Sequence, residues 1–378
     1  MLTGDLFYRV SVFAPGAVYD LSADLSSLSI EQRETYPDLL LIHLSDPHKV
    51  LGHALQEGMG VEVELGTADD HSVIFRGRIY RVEGSFPQAG VPTLTLRAFD
   101  RSMEMGLRKR NRVWADMNLS DLVSTLAVEY FNRVSVELRG DPKLSGNGLR
   151  QKDETDLAFL LRLARQHGCV MYVKAEDDDE VLYFVAEHVV MTTESAVTLF
   201  YGRCGAKNQL VRFESSADVV DIQLPRILSG IDARSGQLIE AKSAEVEEVG
   251  TTEDPFFDEN LTAFRTREPV KAAGLELLLE AAGAAHAELR QFLGGVERIQ
   301  VPTFTTEEAL NLAARNQFST RLRGMRGSGT APGQKDLLAR TSVQLADVGG
   351  RFSGTWYLAE VRHELNREGY HTHFECRR

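Results

Sequence analysis

The segment Phe352-Ser-Gly-Thr-Trp-Tyr-Leu-Ala-Glu-Val-Arg-His-Glu-Leu-Asn-Arg-Glu-Gly-Tyr-His-Thr-His-Phe-Glu-Cys-Arg-Arg378 decides how the rest of the sequence is read. Two bulky, strand-forming runs flank Asn366-Arg-Glu-Gly369, which predicts a β-hairpin. A shorter echo, Phe75-Arg-Gly-Arg-Ile-Tyr-Arg-Val82, lies about 280 residues earlier. Each copy opens with Phe-x-Gly before a strand-forming run. The repetition predicts one β-module used twice, an arrangement that suits assembly better than catalysis.

A length of 378 residues exceeds one ordinary core and predicts two or three domains. Hydrophobic residues make up 43% and charged residues 26%, the balance of a folded water-facing chain. No apolar run reaches the roughly 20 residues that a membrane-spanning helix needs. The start, Met1-Leu-Thr-Gly-Asp-Leu-Phe-Tyr-Arg-Val10, has an early acid and no basic region, which argues against a secretory signal. Cys169, Cys204 and Cys376 are distant from one another and odd in number, so no disulfide framework is expected and cytoplasmic folding is. The net charge of −13 argues against a surface that grips phosphates. The one basic cluster, Arg108-Lys-Arg-Asn-Arg112, is expected to be a solvated loop or a contact to an acidic neighbouring subunit.

Hydrophobic patterning divides the chain into 1–105, 106–200 and 201–378. In the first part, Val61, Val63 and Leu65 alternate with Glu62 and Glu64, and Gly66–His71 reads as a turn. Strands follow over Val73–Glu83 and Thr93–Ala98, with Gly77 predicting a bulge or a close backbone approach. The second part reads as a small α/β insert. Asn118 is placed to cap a helix carrying Leu122, Val123, Leu126 and Ala127. A second helix starts near Asp153–Asp156 and stops at Gly168. Strands are predicted at Val170–Val173 and Val181–Val185, with Asp177–Glu180 as the turn between them.

The third part returns to β, with helical and acidic insertions over about 235–330. A strand is expected at Val219–Leu224, a loop at Ser229–Gly236 and an acidic surface excursion at 244–260. Helices are expected at Lys271–Phe292 and from the capping box Thr305-Thr-Glu-Glu308 to about Arg323. Gly324–Gly333 reads as a flexible connector before the final strands at Thr341–Val348, Gly354–Leu365 and Tyr370–Arg377. The fold class is therefore mainly β with α/β insertions (α+β): two barrel-like modules with a small α/β insert between them.

Chemistry-bearing residues are sparse. His371 and His373 share a strand face, and a hairpin could bring His363 beside them to bind zinc, so these three are the metal candidates. Polar or interfacial histidines are the plainer expectation. Asp177–Glu180 lacks the spaced oxygens and central glycine of a calcium loop. Asp153, Glu154 and Asp156 are explained by their place at a helix start. No nucleophile elbow, phosphate-binding loop, Cys-x-x-Cys or His-Glu-x-x-His occurs. No catalytic residue and no cofactor are expected.

Several of these segments, taken together, resemble the phage late control gene D family, the tail-hub proteins of contractile phages and the hub-like N-terminal part of VgrG. Phe75-Arg-Gly-Arg-Ile79 is similar to a strand of that family's first barrel, and Asp100 with Leu107 to the exit from it. Asn118-Leu-Ser-Asp-Leu-Val123 resembles the helix that follows. Gln151-Lys-Asp-Glu-Thr-Asp-Leu-Ala-Phe-Leu160, with Arg162-Leu-Ala164 and Gly168, resembles its most recognisable segment. Phe352-Ser-Gly354, His363 and Gly369-Tyr370-His-Thr372 resemble the terminal hairpin. Ala331-Pro-Gly-Gln-Lys-Asp336 replaces the usual glycine-rich entry to the second barrel, and 244–300 has no counterpart.

The resemblance implies a homotrimeric baseplate hub adapting a six-fold tail tube to a three-fold spike, with a channel for DNA or protein cargo that binds neither. Its implied partners are the tube protein, a separate spike protein and other baseplate proteins. Its implied place is the virion or injection particle, after assembly in the bacterial cytoplasm. Two other functions compete with it: a metal-dependent hydrolase built on His363, His371 and His373, and a carbohydrate-binding β-module.

Overall fold

The computed structural model describes residues 6–144, 149–176, 179–193, 195–203, 208–218, 226–232, 235–242, 257–275, 297–300 and 325–378, with isolated positions between 277 and 314. Cys204, Asp177, Asp178, the strand expected at Val219–Leu224 and nearly all of the helix expected after Thr305 lie outside these residues.

The first module follows from alternation. Its strands are β1 (Leu6–Ala14), β2 (Ala17–Asp20), β3 (Leu25–Arg33), β4 (Tyr36–Ser45), β5 (Gly60–Thr67), β6 (His71–Ser85) and β7 (Thr93–Phe99), with a one-turn helix α1 (Leu51–Ala54). They pair antiparallel in the order β2-β1-β5-β6-β7-β4-β3. Alternate side chains of β3, β4, β5 and β7, among them Leu28, Ile30, Leu40, Ile42, Val61, Val63 and Leu96, enter one core. Gly77 marks a close approach, because a Cβ there would lie 2.1 Å from the Phe99 carbonyl oxygen. The register shifts of β6 fall on either side of it, opposite Val63/Glu64 and between Ile79 and Arg81.

The insert holds β8 (Lys109–Trp114), α2 (Leu119–Ala127), β9 (Arg133–Glu137), β10 (Leu149–Thr155), α3 (Asp156–His167), β11 (Cys169–Glu176), β12 (Asp179–Ala186) and α4 (Glu187–Thr192). β11 and β12 are antiparallel, β9 joins β12 in parallel, and β8 pairs with β10. The apolar stripes of α2 and α3 meet β11 and β12 in one core of Leu122, Leu126, Phe159, Leu163 and Phe184. Thr155 caps α3 by accepting the Ala158 N–H at 3.2 Å, and Gly168 ends it at φ 64°. Asn118 stands at the start of α2 without capping it. Asp141, distant in sequence, does so instead by accepting the Ser120 N–H at 3.1 Å.

Beyond the insert come β13 (Val197–Tyr201), β14 (Gln209–Leu210) and β15 (Arg212–Ala217). β16 (Arg226–Ile231), β17 (Leu238–Lys242) and β18 (Glu297–Gln300) form a separate small sheet that sets Leu228 and Ala241 into the insert's core. Part of the loop expected at Ser229–Gly236 is therefore strand. α5 (Phe257–Arg267) begins inside the stretch read as an acidic excursion.

The remaining strands are β19 (Met325–Pro332), β20 (Ser342–Ala346), β21 (Gly354–Asn366) and β22 (Gly369–Arg377). β19 corrects the expected flexible connector: it is paired on both sides, by β15 and β22. Its glycines serve packing. A Cβ on Gly329 would sit 2.3 Å from the Phe374 ring, and one on Gly327 2.8 Å from the Phe213 ring.

The terminal hairpin joins the two β regions. β21 pairs with β22 on one side. On its other side, Gly354–Tyr357 pairs with β20 and Glu360–Leu365 with β3. A register irregularity between Leu358 and Glu360 marks the change. The mainly β reading with helical insertions holds, but the strands of both regions belong to one 14-stranded sheet, and no closed barrel is formed among the described residues. The Phe-x-Gly echo does not mark equivalent places. Phe75 lies inside β6, whereas Phe352 lies in the turn before β21. The first module is wholly antiparallel, while β13 pairs in parallel with β14 and β20.

Candidate functional site at the seam between the modules

The three candidate metal ligands do not converge. Strand register sets His363 opposite Thr372, on the inward face, while His371 and His373 point outward. His363 is fully buried with Nδ1 2.8 Å from the Tyr370 hydroxyl. Burial pulls its ring down to about 3, so it is neutral across the physiological range. His373 Nδ1 lies 3.0 Å from Thr330 Oγ1. Among the described residues no three His, Cys, Asp or Glu side chains are grouped to hold a metal.

The acidic and basic clusters of the insert neutralise each other. Arg108 is exposed, and the rest of the cluster forms β8 rather than a loop. Lys109 pairs with Asp153 at 3.2 Å, Arg112 with Glu129 at 2.8 Å, and Arg110 approaches Asp156 at 3.9 Å. Asp156 is fully buried, accepting from the Tyr130 hydroxyl at 2.7 Å and from Gln151 Nε2 at 2.6 Å. Glu154 holds Arg162 at 2.8 Å. Glu180 belongs to β12 rather than to a free turn. All of these carboxylates have structural work.

The most unusual polar cluster lies where first module, insert and C-terminal strands meet. Asp38 of β4, Asp100 just after β7 and Arg340 just before β20 are all buried. Arg340 Nη2 donates to Asp38 Oδ1 at 2.7 Å, to the Tyr36 carbonyl at 3.1 Å and to the Arg33 carbonyl. Gln32 Nε2 donates to Asp38 Oδ2 at 3.1 Å, and its Oε1 accepts the Ala339 N–H at 3.2 Å. Asp100 accepts the Asp38 N–H at 2.5 Å and the Ser102 N–H at 2.7 Å. From the insert, the Tyr172 ring lies 5.6 Å from the Arg340 guanidinium. Arg340 is held at φ 65°, left-handed backbone that a branched network must stabilise. A cavity of about 450 Å³ opens beside the cluster, lined by Gln32, Asp38, Asp100, Tyr172, Lys335 and Arg340 among others.

Two carboxylates share this seam with one guanidinium. Burial raises both. Arg340 holds Asp38 back, whereas Asp100, next to the Asp38 charge, is pushed up to about 7. Sequence reasoning placed Asp100 only at the exit of a barrel and missed its partners. One signal was available: Asp38 falls on the same face as Leu40, Ile42 and Leu44, and a carboxylate on an apolar strand face needs a partner. Nothing local marks Arg340, some 300 residues away.

The outer edge of the sheet is also distinctive. All four residues of β2 are exposed, with Val18 at 76% and Tyr19 at 55% exposure on a strand that among the described residues pairs only with β1.

Residues 39–220 match the family model described as phage tail baseplate hub (GPD). No sequence among the curated proteins matches the chain. The fold is similar over nearly its whole length to solved tail proteins. A tail protein from Neisseria meningitidis MC58 has TM-score 0.61 at 16% identity, covering 98% of this chain and 96% of that one. The 43 kDa tail protein of prophage MuSo2 from Shewanella oneidensis has TM-score 0.62 at 12% identity, covering 98% of each. The E. coli c3393 protein, described as a type VI secretion component structurally similar to T4 tail proteins gp27 and gp5, has TM-score 0.53 at 11% identity. It is covered to 73% and covers 93% of this chain.

Proposed function

We propose that this chain is the structural central hub of a contractile tail or injection-system baseplate. The observation that carries the reading is the baseplate-hub match over residues 39–220, set in a fold shared with tail proteins along 98% of the chain. The expected resemblance to hub proteins is thereby borne out. The hub is a homotrimer that adapts a six-fold tube to a three-fold spike, with the tail tube protein above, a spike protein below and other baseplate proteins around it. It works in the virion or injection particle after assembly in the bacterial cytoplasm. No helix among the described residues is long and apolar enough to cross a membrane.

Physical features support this reading. One sheet runs through both β regions, so a subunit transmits load through backbone hydrogen bonds rather than a flexible linker. Its outward face around the shared strand carries Glu31, Arg33, Arg362, Glu364, His373 and Glu375, a hydrated surface fit for a channel wall. The exposed edge at β2 offers unpaired backbone groups to a neighbour. No catalytic residues are assigned, because the buried polar groups described above are committed to structural bonds.

Light scattering on the purified chain, with negative-stain images of the same sample, tests the proposal. A three-subunit mass and rings with a central hole are expected, in isolation or on adding the cognate spike protein. A chain that stays monomeric with both spike and tube present overturns it.

A further inference from the structure

We propose that the seam between the three modules is proton-linked: Asp38 and Asp100 share one proton, and losing it loosens the seam. The argument starts from charge counting. Asp38, Asp100 and Arg340 are buried together, and their only full positive charge belongs to Arg340. With one carboxyl protonated the cluster is neutral. With both ionised it carries a net negative charge that the surrounding protein cannot solvate.

Other groups around Asp100 do not remove the excess. From β4 comes Asp38, whose N–H Asp100 accepts. From the helical turn that follows come the Ser102 N–H and the Ser102 side chain, uncharged donors that favour the ionised form without adding positive charge. From β6, Tyr80 lies close enough to feel the Asp100 charge, and Arg76 is held by Glu62 at 2.6 Å. From the C-terminal region come Arg340, already bound to Asp38, and Lys335, held by Asp70 at 3.1 Å and Asp336 at 2.9 Å. From the insert come Tyr172, neutral at these pH values, and Lys174, paired with Glu176 at 3.3 Å.

Protonation suits Asp100 better than Asp38. Asp38 binds the guanidinium directly, whereas Asp100 receives only uncharged donors, the Asp38 and Ser102 N–H groups and the Ser102 side chain, and a protonated carboxyl keeps lone pairs that can accept from them. The adjoining cavity gives the released proton a route to solvent. The seam is what the charge acts on. Asp38 and Asp100 belong to the first module, Arg340 to the C-terminal strands, and Tyr172 to the insert, so it is the packing of all three together that keeps water from the second charge, and parting them would hydrate it.

The sign follows from linkage. Asp100 titrates near 3.9 when unfolded and about 7 when folded. Its stabilising contribution is complete below the unfolded value and is lost as pH rises through about 7.

Replacing Asp100 by Asn fixes the neutral form. The gap between the melting temperatures of D100N and the unaltered chain isolates this one group from every other titration. The variant should gain on the unaltered protein from about pH 4 to about pH 7 and keep a constant lead above that. A gap that does not change with pH overturns the proposal. Should D100N fail to fold, carboxyl-carbon NMR of the unaltered protein labelled at aspartate decides. One aspartate still protonated at about pH 6 upholds the shared proton, and titration of all aspartates below about pH 5 refutes it.

Discussion

Arg340 shows how much can rest on one residue. Its guanidinium meets a carboxylate from β4 and two backbone carbonyls from the β3–β4 turn. Truncation removes the donor from all three and leaves the buried Asp38 carboxylate without its countercharge, so Arg340→Ala should destabilise by about 3–5 kcal/mol. The double change Asp38→Asn with Arg340→Met removes the uncompensated charge and should recover part of the loss in denaturant unfolding. Buried histidines give an opposite pH response to that of Asp100. His167 and His363 are both pulled by burial to about 3, from near 6.5 when unfolded. Below the unfolded value the unfolded chain takes up protons that the fold excludes. Stability should therefore fall as pH drops from about 6.5 towards about 3. His363→Gln, which keeps an acceptor for Tyr370, should flatten that slope in melts between about pH 6 and pH 4. An unchanged slope would assign acid sensitivity to other groups.

At the scale of elements, β19 separates what pattern reveals from what it conceals. Gly329→Ala would push a methyl group into the Phe374 ring, and circular dichroism melts should show a loss of about 1–3 kcal/mol. A true connector would tolerate the change. Glycine was ambiguous there because the same residue serves a turn and a strand overlain by aromatic rings; only partners distant in sequence distinguish the two. Elsewhere local signals sufficed. Alternation revealed β5 and β7, Asn366–Gly369 the terminal turn, and Gly168 the end of α3. The helix start at α2 was legible while its cap was not, because Asp141 reaches Ser120 from a distant loop. Register likewise separated the candidate histidines: a spacing of two places His371 and His373 together, but only the pairing of His363 with Thr372 shows that His363 points inward. The seam was the least legible part, since its three charged residues come from separate segments.

At the scale of the whole molecule, β21 makes the two β regions mechanically one. Breaking it should affect both. Val361 is buried and paired with Gln32 on one side and Phe374 on the other. Val361→Pro should thus lower the melting of both β regions together, read by hydrogen exchange in β4 and in β20. Loss confined to one region would show that the sheet is continuous in hydrogen bonding but not in stability. Charge supplies the complementary expectation. The chain carries −13 overall, and its one basic cluster is largely neutralised by Asp153, Asp156 and Glu129. Phosphate binding depends on cations free to displace counterions, and low salt strengthens it steeply. The assembly proposed above should therefore leave double-stranded DNA unretarded in gel shifts even at low salt, as a conduit that does not grip its cargo would. Salt-sensitive retardation would instead reveal a basic surface created by assembly, and a hub that grips its cargo rather than letting it pass.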